Sequence, residues 1–241
     1  MKILAVIPAR IASTRLPRKA LREILGKPMV QRVYEATRAS GLADVLVATD
    51  SEDIAGLGKR LGMQVEMTSA ECKSGTDRVR EIAQKIAADV YINVQGDEPL
   101  ARPEHITALV ELMRREEVQV GTLMTFCPEH DVNNPNAVKV VVDRSGKALY
   151  FSRATIPYDR DGGRVIRYFK HLGFYAYRKD ALEAFPNLPH SGLEEAERLE
   201  QLRFLENGIS IHAAETPFDT VGVDTEEDLK RVEEVLRQQG R

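Results

Sequence analysis

Cysteine is nearly absent. Cys72 and Cys127 are the only two in 241 residues and form no CxxC pair. A disulfide framework is therefore not expected, and the count suits a reducing cytoplasm. Long apolar runs are also missing. None approaches the ~20 residues of a membrane span, and the stretch after Lys2 is too short for a signal peptide and lacks an A-x-A-type cleavage site. Positive charge is not in excess: 34 Lys and Arg stand against 37 Asp and Glu, a formal net charge of −3. That balance excludes a general nucleic-acid binder, so any anion site must be assembled locally. His105, His130, His171, His190 and His212 show no metal-type spacing. There is no internal repeat and no low-complexity tract. What remains is an ordinary globular composition, 43% apolar and 29% charged, long enough for one large α/β domain or two small ones.

A more telling absence lies near the N-terminus. IPARIASTRLPRK (7–19) follows the apolar run Ile3–Ile7 and carries Arg10, Arg15, Arg18 and Lys19 without a single glycine. The P-loop pattern GxxxxGK[ST] and the dinucleotide pattern GxGxxG are both excluded. A polyphosphate there would be held by side chains rather than by a glycine cradle. A solvated basic loop with no ligand is the other reading of the same residues.

Along the chain, buried-strand patterns at Ile3–Ile7, Val45–Ala48, Gln64–Met67, Val90–Val94 and Val120–Phe126 alternate with helical periodicity from Pro28 to Ser40, Ser51 to Leu61, Gly75 to Ala88 and Pro103 to Arg115. This βαβα order predicts an α/β fold: a doubly wound, mostly parallel (mixed) sheet with helices on both faces. From about Asn133 the style changes. Val138–Val142 and Ala148–Phe151 read as a hairpin, Gly162-Gly163 as a flexible loop, and His171–Tyr177 as a further strand. Leu193–Asn207 reads as one amphipathic helix stopped by Gly208, Ile209–Ala213 as a strand, and Thr225–Gln239 as a final helix. The organisation expected is a single domain over 1–241, with approximately 133–177 as an antiparallel insertion forming a lid or a dimer surface.

In doubly wound sheets, ligands bind at the carboxyl ends of strands near the switch in strand order. Three such ends carry unusual polar residues: Arg10, Ser13, Arg15 and Lys19 after the first strand, Gln95 and Asp97 in VQGDEP, and Asp224 in GVDTEEDL. Gly96 permits close backbone approach and Pro99 stiffens the turn, so Asp97 is suited to Mg²⁺, with Asp224 as a second ligand. The alternatives are an Asx turn at Asp97 and a helix cap at Asp224. SGTDR (74–78) is either a capping motif or a base- or ribose-binding segment.

IPARIASTRLPRKAL, SGTDR, INVQGDEP, FSRATIP, HLGFYAYR, LEQLRFLENG and GVDTEEDL occur in this order and at natural spacing. By these motifs the chain resembles the 3-deoxy-manno-octulosonate (KDO) cytidylyltransferases essentially end to end. The resemblance implies a nucleotidyltransferase-like fold and an enzyme that joins CMP from CTP to the anomeric hydroxyl of KDO, releasing pyrophosphate, for lipopolysaccharide biosynthesis. It implies that Arg10, Arg15 and Lys19 neutralise the triphosphate and that Asp97 and Asp224 hold Mg²⁺. Ser13 joins the phosphate loop, and Ala9, Ser74, Arg78 and Gln95 line the cytidine pocket. Arg153, His171, Tyr175, Glu200 and Gln201 match the sugar-binding positions, Arg153 facing the substrate carboxylate. Arg10, Lys19 and Asp97 form the catalytic set, and metal is expected to activate the sugar hydroxyl because no residue stands out as a general base. A cytoplasmic homodimer is the form the family implies. The chain departs from many relatives at Cys72, Arg18 and Ala20, so no role is assigned to Cys72 and Arg18 is at most a helper. The alternatives are a nucleotidyltransferase for another acid sugar and a non-catalytic nucleotide-binding module.

Overall fold

The computed structural model describes residues 1–13, 15–162 and 166–240. Thr14 of the basic loop and Gly163 of the expected flexible loop lie outside the described residues. The chain divides into two compact units, residues 1–107 with 220–241, and residues 108–219.

The first unit begins with β1 (Ile3–Ala9), a short ribbon of β2 (Glu23–Ile24) and β3 (Lys27–Pro28), and helix α1 (Met29–Arg38). It continues through β4 (Asp44–Thr49), α2 (Glu52–Arg60), β5 (Val65–Met67), α3 (Gly75–Lys85) and β6 (Val90–Asn93), with α4 (Pro103–Met113) following. The strands are parallel in the order β6-β1-β4-β5. Val6, Ile7, Val45, Val47, Val90 and Ile92 are fully buried, as β-branched runs covered on both faces should be. β1 runs two residues past the expected end at Ile7, because Pro8 and Ala9 pair with Ala48 and Thr49. The chain steps outward from β1 to β4 and β5, then returns to place β6 on β1's other side. Right-handed crossovers therefore put α3 on the face opposite α1 and α2. The switch in strand order falls between β1 and β6, which locates the crevice at Ala9 and Asn93.

The second unit contains β7 (Val120–Phe126), α5 (Glu129–Val132), β8 (Lys139–Val142), β9 (Ala148–Ser152), β10 (Phe169–Arg178), α6 (Lys179–Ala184), α7 (Gly192–Glu197), α8 (Leu202–Glu206) and β11 (Ile211–Glu215). β7 lies between antiparallel β10 and parallel β11, and the β8–β9 hairpin joins through β8 to β10. The last helix, α9 (Glu226–Gln238), belongs to the first unit.

The helix expected over Leu193–Asn207 is broken. Arg198 adopts a left-handed conformation at φ 54° and ends α7, and α8 starts afresh at Leu202. The periodicity is real on both sides of the break, which is why the sequence reads as continuous. What stops the helix is competition for its carbonyls, since Arg153 Nε donates to Glu197 O at 2.7 Å and Nη2 to Arg198 O at 3.5 Å. A left-handed arginine is strained where glycine would not be. Arg198→Gly should therefore raise stability by up to about 1 kcal/mol, read as a small rise in Tm. An unchanged or lower Tm would contradict the assignment of strain.

Candidate active site

The loop after β1 is held by one apolar anchor. Leu16 is fully buried in a cluster with Ile24, Met29, Leu100, Val223, Leu229, Val232 and Leu236. Burial of a leucine of this kind contributes about 1.5–3 kcal/mol, enough to fix an otherwise polar segment. Arg15 precedes Leu16 and Asp224 follows Val223, so packing these two apolar residues into one cluster brings their charged neighbours together. Arg15 Nη2 lies 2.9 Å from Asp224 Oδ2. Val223 N–H also donates to Asp97 O at 2.9 Å, tying the turn after β6 to the segment before α9.

Lys19 completes the arrangement. Its Nζ donates to Asp97 Oδ2 at 2.6 Å and to Asp224 Oδ1 at 2.9 Å. Burial opposes the lysine charge, but the adjoining Asp97 and Asp224 carboxylates overcome it and hold the ammonium above its usual value. Burial would likewise raise Asp224, and Lys19 and Arg15 outweigh it, so that carboxyl is held below the usual range and is ionised at neutral pH. The cap alternative for Asp224 fails, because Thr225 is the N-cap of α9 and forms a capping box with Asp228. The carboxylate of Asp97 goes to Lys19 rather than to an Asx turn.

These side chains line one open cleft in the first unit. Every residue assigned from sequence to the nucleotide or the metal lines it: Ala9, Arg10, Ser13, Arg15, Lys19, Ser74, Arg78, Gln95, Asp97 and Asp224. Ser74 is at the same time the N-cap of α3, in a capping box with Asp77. Arg78, only 3% exposed, donates to Thr68 Oγ1 and to Asp50 Oδ2 at 3.1 Å, so it also ties α3 to the ends of β4 and β5. Arg18 is absent from the lining and pairs with Asp53 at 2.9 Å.

Among the lining residues with no assignment from sequence, Cys72 and Lys73 carry reactive or charged side chains, and their only signal is adjacency to SGTDR. The Cys72 thiol donates to Glu81 Oε2 at 3.3 Å, and burial with that carboxylate pushes it up to about 11, so it is a thiol and not a nucleophilic thiolate. The donor set also fits a hard divalent cation. Two carboxylates already converge on a single cationic atom, and both offer oxygen.

The residues matched to the sugar lie in the second unit. β10 carries a register irregularity between Leu172 and Tyr175 opposite β7, the kind of bulge that re-aims side chains beside functional sites. There Thr122 Oγ1 donates its one proton to Phe174 O at 2.7 Å, so it can only accept from His171 Nε2 at 2.9 Å. His171 is thus the Nε2–H tautomer, with Nδ1 left as an acceptor. Its ring contacts Phe151 edge-on and lies 5.4 Å from Tyr175, which stacks on Tyr177. Burial pushes His171 down to about 3. Burial, with Tyr177 and Glu200 nearby, raises Tyr175 far above the usual phenol, placing Glu200 in the same neighbourhood. Gln201 is 6% exposed, and its Nε2 has no hydrogen-bond partner among the described residues.

The depressed His171 value has a measurable consequence. Between about pH 6.5 and 3 the unfolded chain binds a proton at this histidine and the folded chain does not. Stability is therefore complete above 6.5 and falls as pH drops through that window, by up to about 1.4 kcal/mol per pH unit. His171→Gln should flatten this part of the Tm–pH profile; an unchanged slope would refute it.

Comparison with known proteins places this geometry. The family profile described as "Cytidylyltransferase" matches residues 4–211. The chain is 66% identical to the 3-deoxy-manno-octulosonate cytidylyltransferase of Koribacter versatilis over 98% of this chain and 91% of that protein. It is 59% identical to the one of Acidobacterium capsulatum over 98% and 97%. A solved structure of CMP:2-keto-3-deoxy-manno-octonic acid synthetase complexed with CTP superimposes at TM-score 0.95 with 44% identity, covering 99% of this chain and 100% of that one. The chain belongs to the cytidylyltransferase family, among its 3-deoxy-manno-octulosonate members.

Proposed function

We propose that this protein transfers CMP from CTP to the anomeric hydroxyl of KDO. The sugar oxygen attacks the α-phosphorus in line, a new P–O bond forms as the bond to the β-phosphate oxygen breaks, pyrophosphate leaves, and the hydroxyl proton passes to solvent. The observation that carries the reading is the meeting of Arg15, Lys19, Asp97 and Asp224 at the switch point of a chain in this family.

In this reading Arg10, Arg15 and Lys19 take the triphosphate and stabilise the charge that moves onto pyrophosphate. Gln95, Ser74, Ala9 and Arg78 hold the cytidine, with Ser13 in the phosphate loop. Asp97 and Asp224 would hold Mg²⁺, which when bound supplies compact positive charge beside the phosphates and the attacking hydroxyl. In the second unit Arg153 takes the sugar carboxylate, His171 accepts a hydroxyl proton at Nδ1, and Tyr175 and Glu200 address further hydroxyls. A sugar oxygen would satisfy the buried Gln201 Nε2. A homodimer in the cytoplasm, feeding lipopolysaccharide synthesis, belongs to the same proposal. No described helix is long and apolar enough to cross a membrane.

The test is pyrophosphate release across a matrix of nucleoside triphosphates and acid sugars, with and without Mg²⁺. Release only with CTP, KDO and metal is the expected result. Equal release with another acid sugar would reassign the substrate, and binding without turnover anywhere would remove the activity.

A further inference from the structure

The second unit holds a lysine with no solvent exposure, and the reaction as proposed does not use it. Lys139 on β8 is fully buried. Its Nζ donates to Asn134 O at 2.8 Å, Ala137 O at 2.5 Å and Arg153 O at 2.9 Å. All its protons go to backbone carbonyls, and none to a carboxylate. Burial lowers its pKa, with Asp131 and Glu197 among the nearby charges that oppose the drop. A buried ammonium is costly, and a neutral residue would fill β8 more cheaply, so its bonds indicate what the charge is for.

They converge on Arg153. Its main-chain carbonyl is held by Lys139, and its main-chain N–H donates to Glu197 Oε2 at 2.9 Å. Its side chain donates from Nε to Glu197 O at 2.7 Å and from Nη1 to Pro135 O at 3.0 Å, and Pro135 sits between two of the carbonyls that Lys139 holds. Ser152 Oγ anchors the other Glu197 oxygen at 2.5 Å. Every acceptor facing the guanidinium is a neutral carbonyl, and among the described residues no carboxylate pairs with it. An arginine held on both main chain and side chain, with its charge unneutralised, is a preorganised receptor for an anion.

We propose that Lys139 is a positioning residue for this reaction: by clamping the 134–137 turn and the Arg153 carbonyl together, it fixes the guanidinium that reads the carboxylate of the acid sugar. Glu197 does the same from the opposite side. The proposal rests on the assignment of Arg153 to the sugar carboxylate, and the experiment separates the two.

Measure kcat/KM for KDO and for its neutral C1 amide in wild type, Arg153→Ala, Lys139→Met and the double variant, together with KM for CTP. Arg153→Ala should collapse the preference for acid over amide; if the preference survives, the Arg153 assignment fails. Given that collapse, Lys139→Met should lower the acid-to-amide ratio roughly 10- to 100-fold, leave KM for CTP unchanged, and add less than about twofold when Arg153 is already alanine. Equal losses with acid and amide, or full additivity in the double variant, would show Lys139 to be merely structural and overturn the proposal. Should Lys139→Met not fold, Glu197→Gln supplies the same readout. It leaves one side-chain oxygen to serve both Ser152 and Arg153 N–H, and an unchanged acid-to-amide ratio there would equally overturn it.

Discussion

Asp97→Asn is expected to give a protein that folds and melts normally but releases pyrophosphate at least about 10³-fold more slowly. The structural side of this expectation comes from where the residue's bonds lie. Its main-chain carbonyl, which accepts from Val223 N–H, is untouched by the substitution. Its side chain is 36% exposed. Asparagine keeps the volume and one oxygen, so stability should stay within about 1 kcal/mol of wild type. The functional side follows from charge. Lys19 loses one of the two carboxylates that hold its ammonium, and a carboxylate pair suited to a hard cation becomes a single carboxylate. A rate within tenfold of wild type at saturating Mg²⁺, with an unchanged Tm, would remove Asp97 from the chemistry.

Gly96→Ala is expected to damage both stability and turnover, for a reason of space rather than conformation. A Cβ at this position would lie 2.6 Å from Pro8 O, a backbone atom of β1 that cannot swing away. Relief requires the Gln95–Glu98 turn to lift off the strand end, at about 1–3 kcal/mol. The turn carries Gln95 and Asp97, and a shift of about 1 Å in such groups can slow a reaction 10²-fold. Gly192→Ala is the control, since a Cβ there meets nothing within 4 Å, and it should leave Tm and rate unchanged. If Gly96→Ala matches that control, the close packing of the turn on β1 is not what positions Asp97.

Much of this was legible in the chain. Alternating buried strands and amphipathic helices specify the parallel order of the first unit, because fully buried strands have no polar face to misplace. Ser74-Gly75-Thr76-Asp77 and Thr225-Glu226-Glu227-Asp228 announce their helix starts by capping chemistry that is local in sequence. The break at Arg198 was not legible. It depends on carbonyls captured by Arg153, 44 and 45 positions earlier in the chain, and nothing near residue 198 signals them. The bulge in β10 escaped for a similar reason, since Thr122 on another strand accepts and donates the bonds that favour it. Cys72 takes no role from the sequence because the chain departs from many relatives there, and the motifs do not say what the thiol meets. Burial, together with the Glu81 carboxylate on α3, is what keeps it protonated.

By itself the sequence determined that this protein has a glycine-free cationic loop at a strand end, carboxylates at two others, and the motifs of its family. Those are properties of local pattern and residue chemistry. That Asp97 and Asp224 share one ammonium was decided only by the tertiary structure, because Lys19 is separated from them by 78 and 205 positions. Burial of Leu16 and Val223 in one apolar cluster closes that distance, so the hydrophobic effect, acting on residues that touch no substrate, builds the charged site.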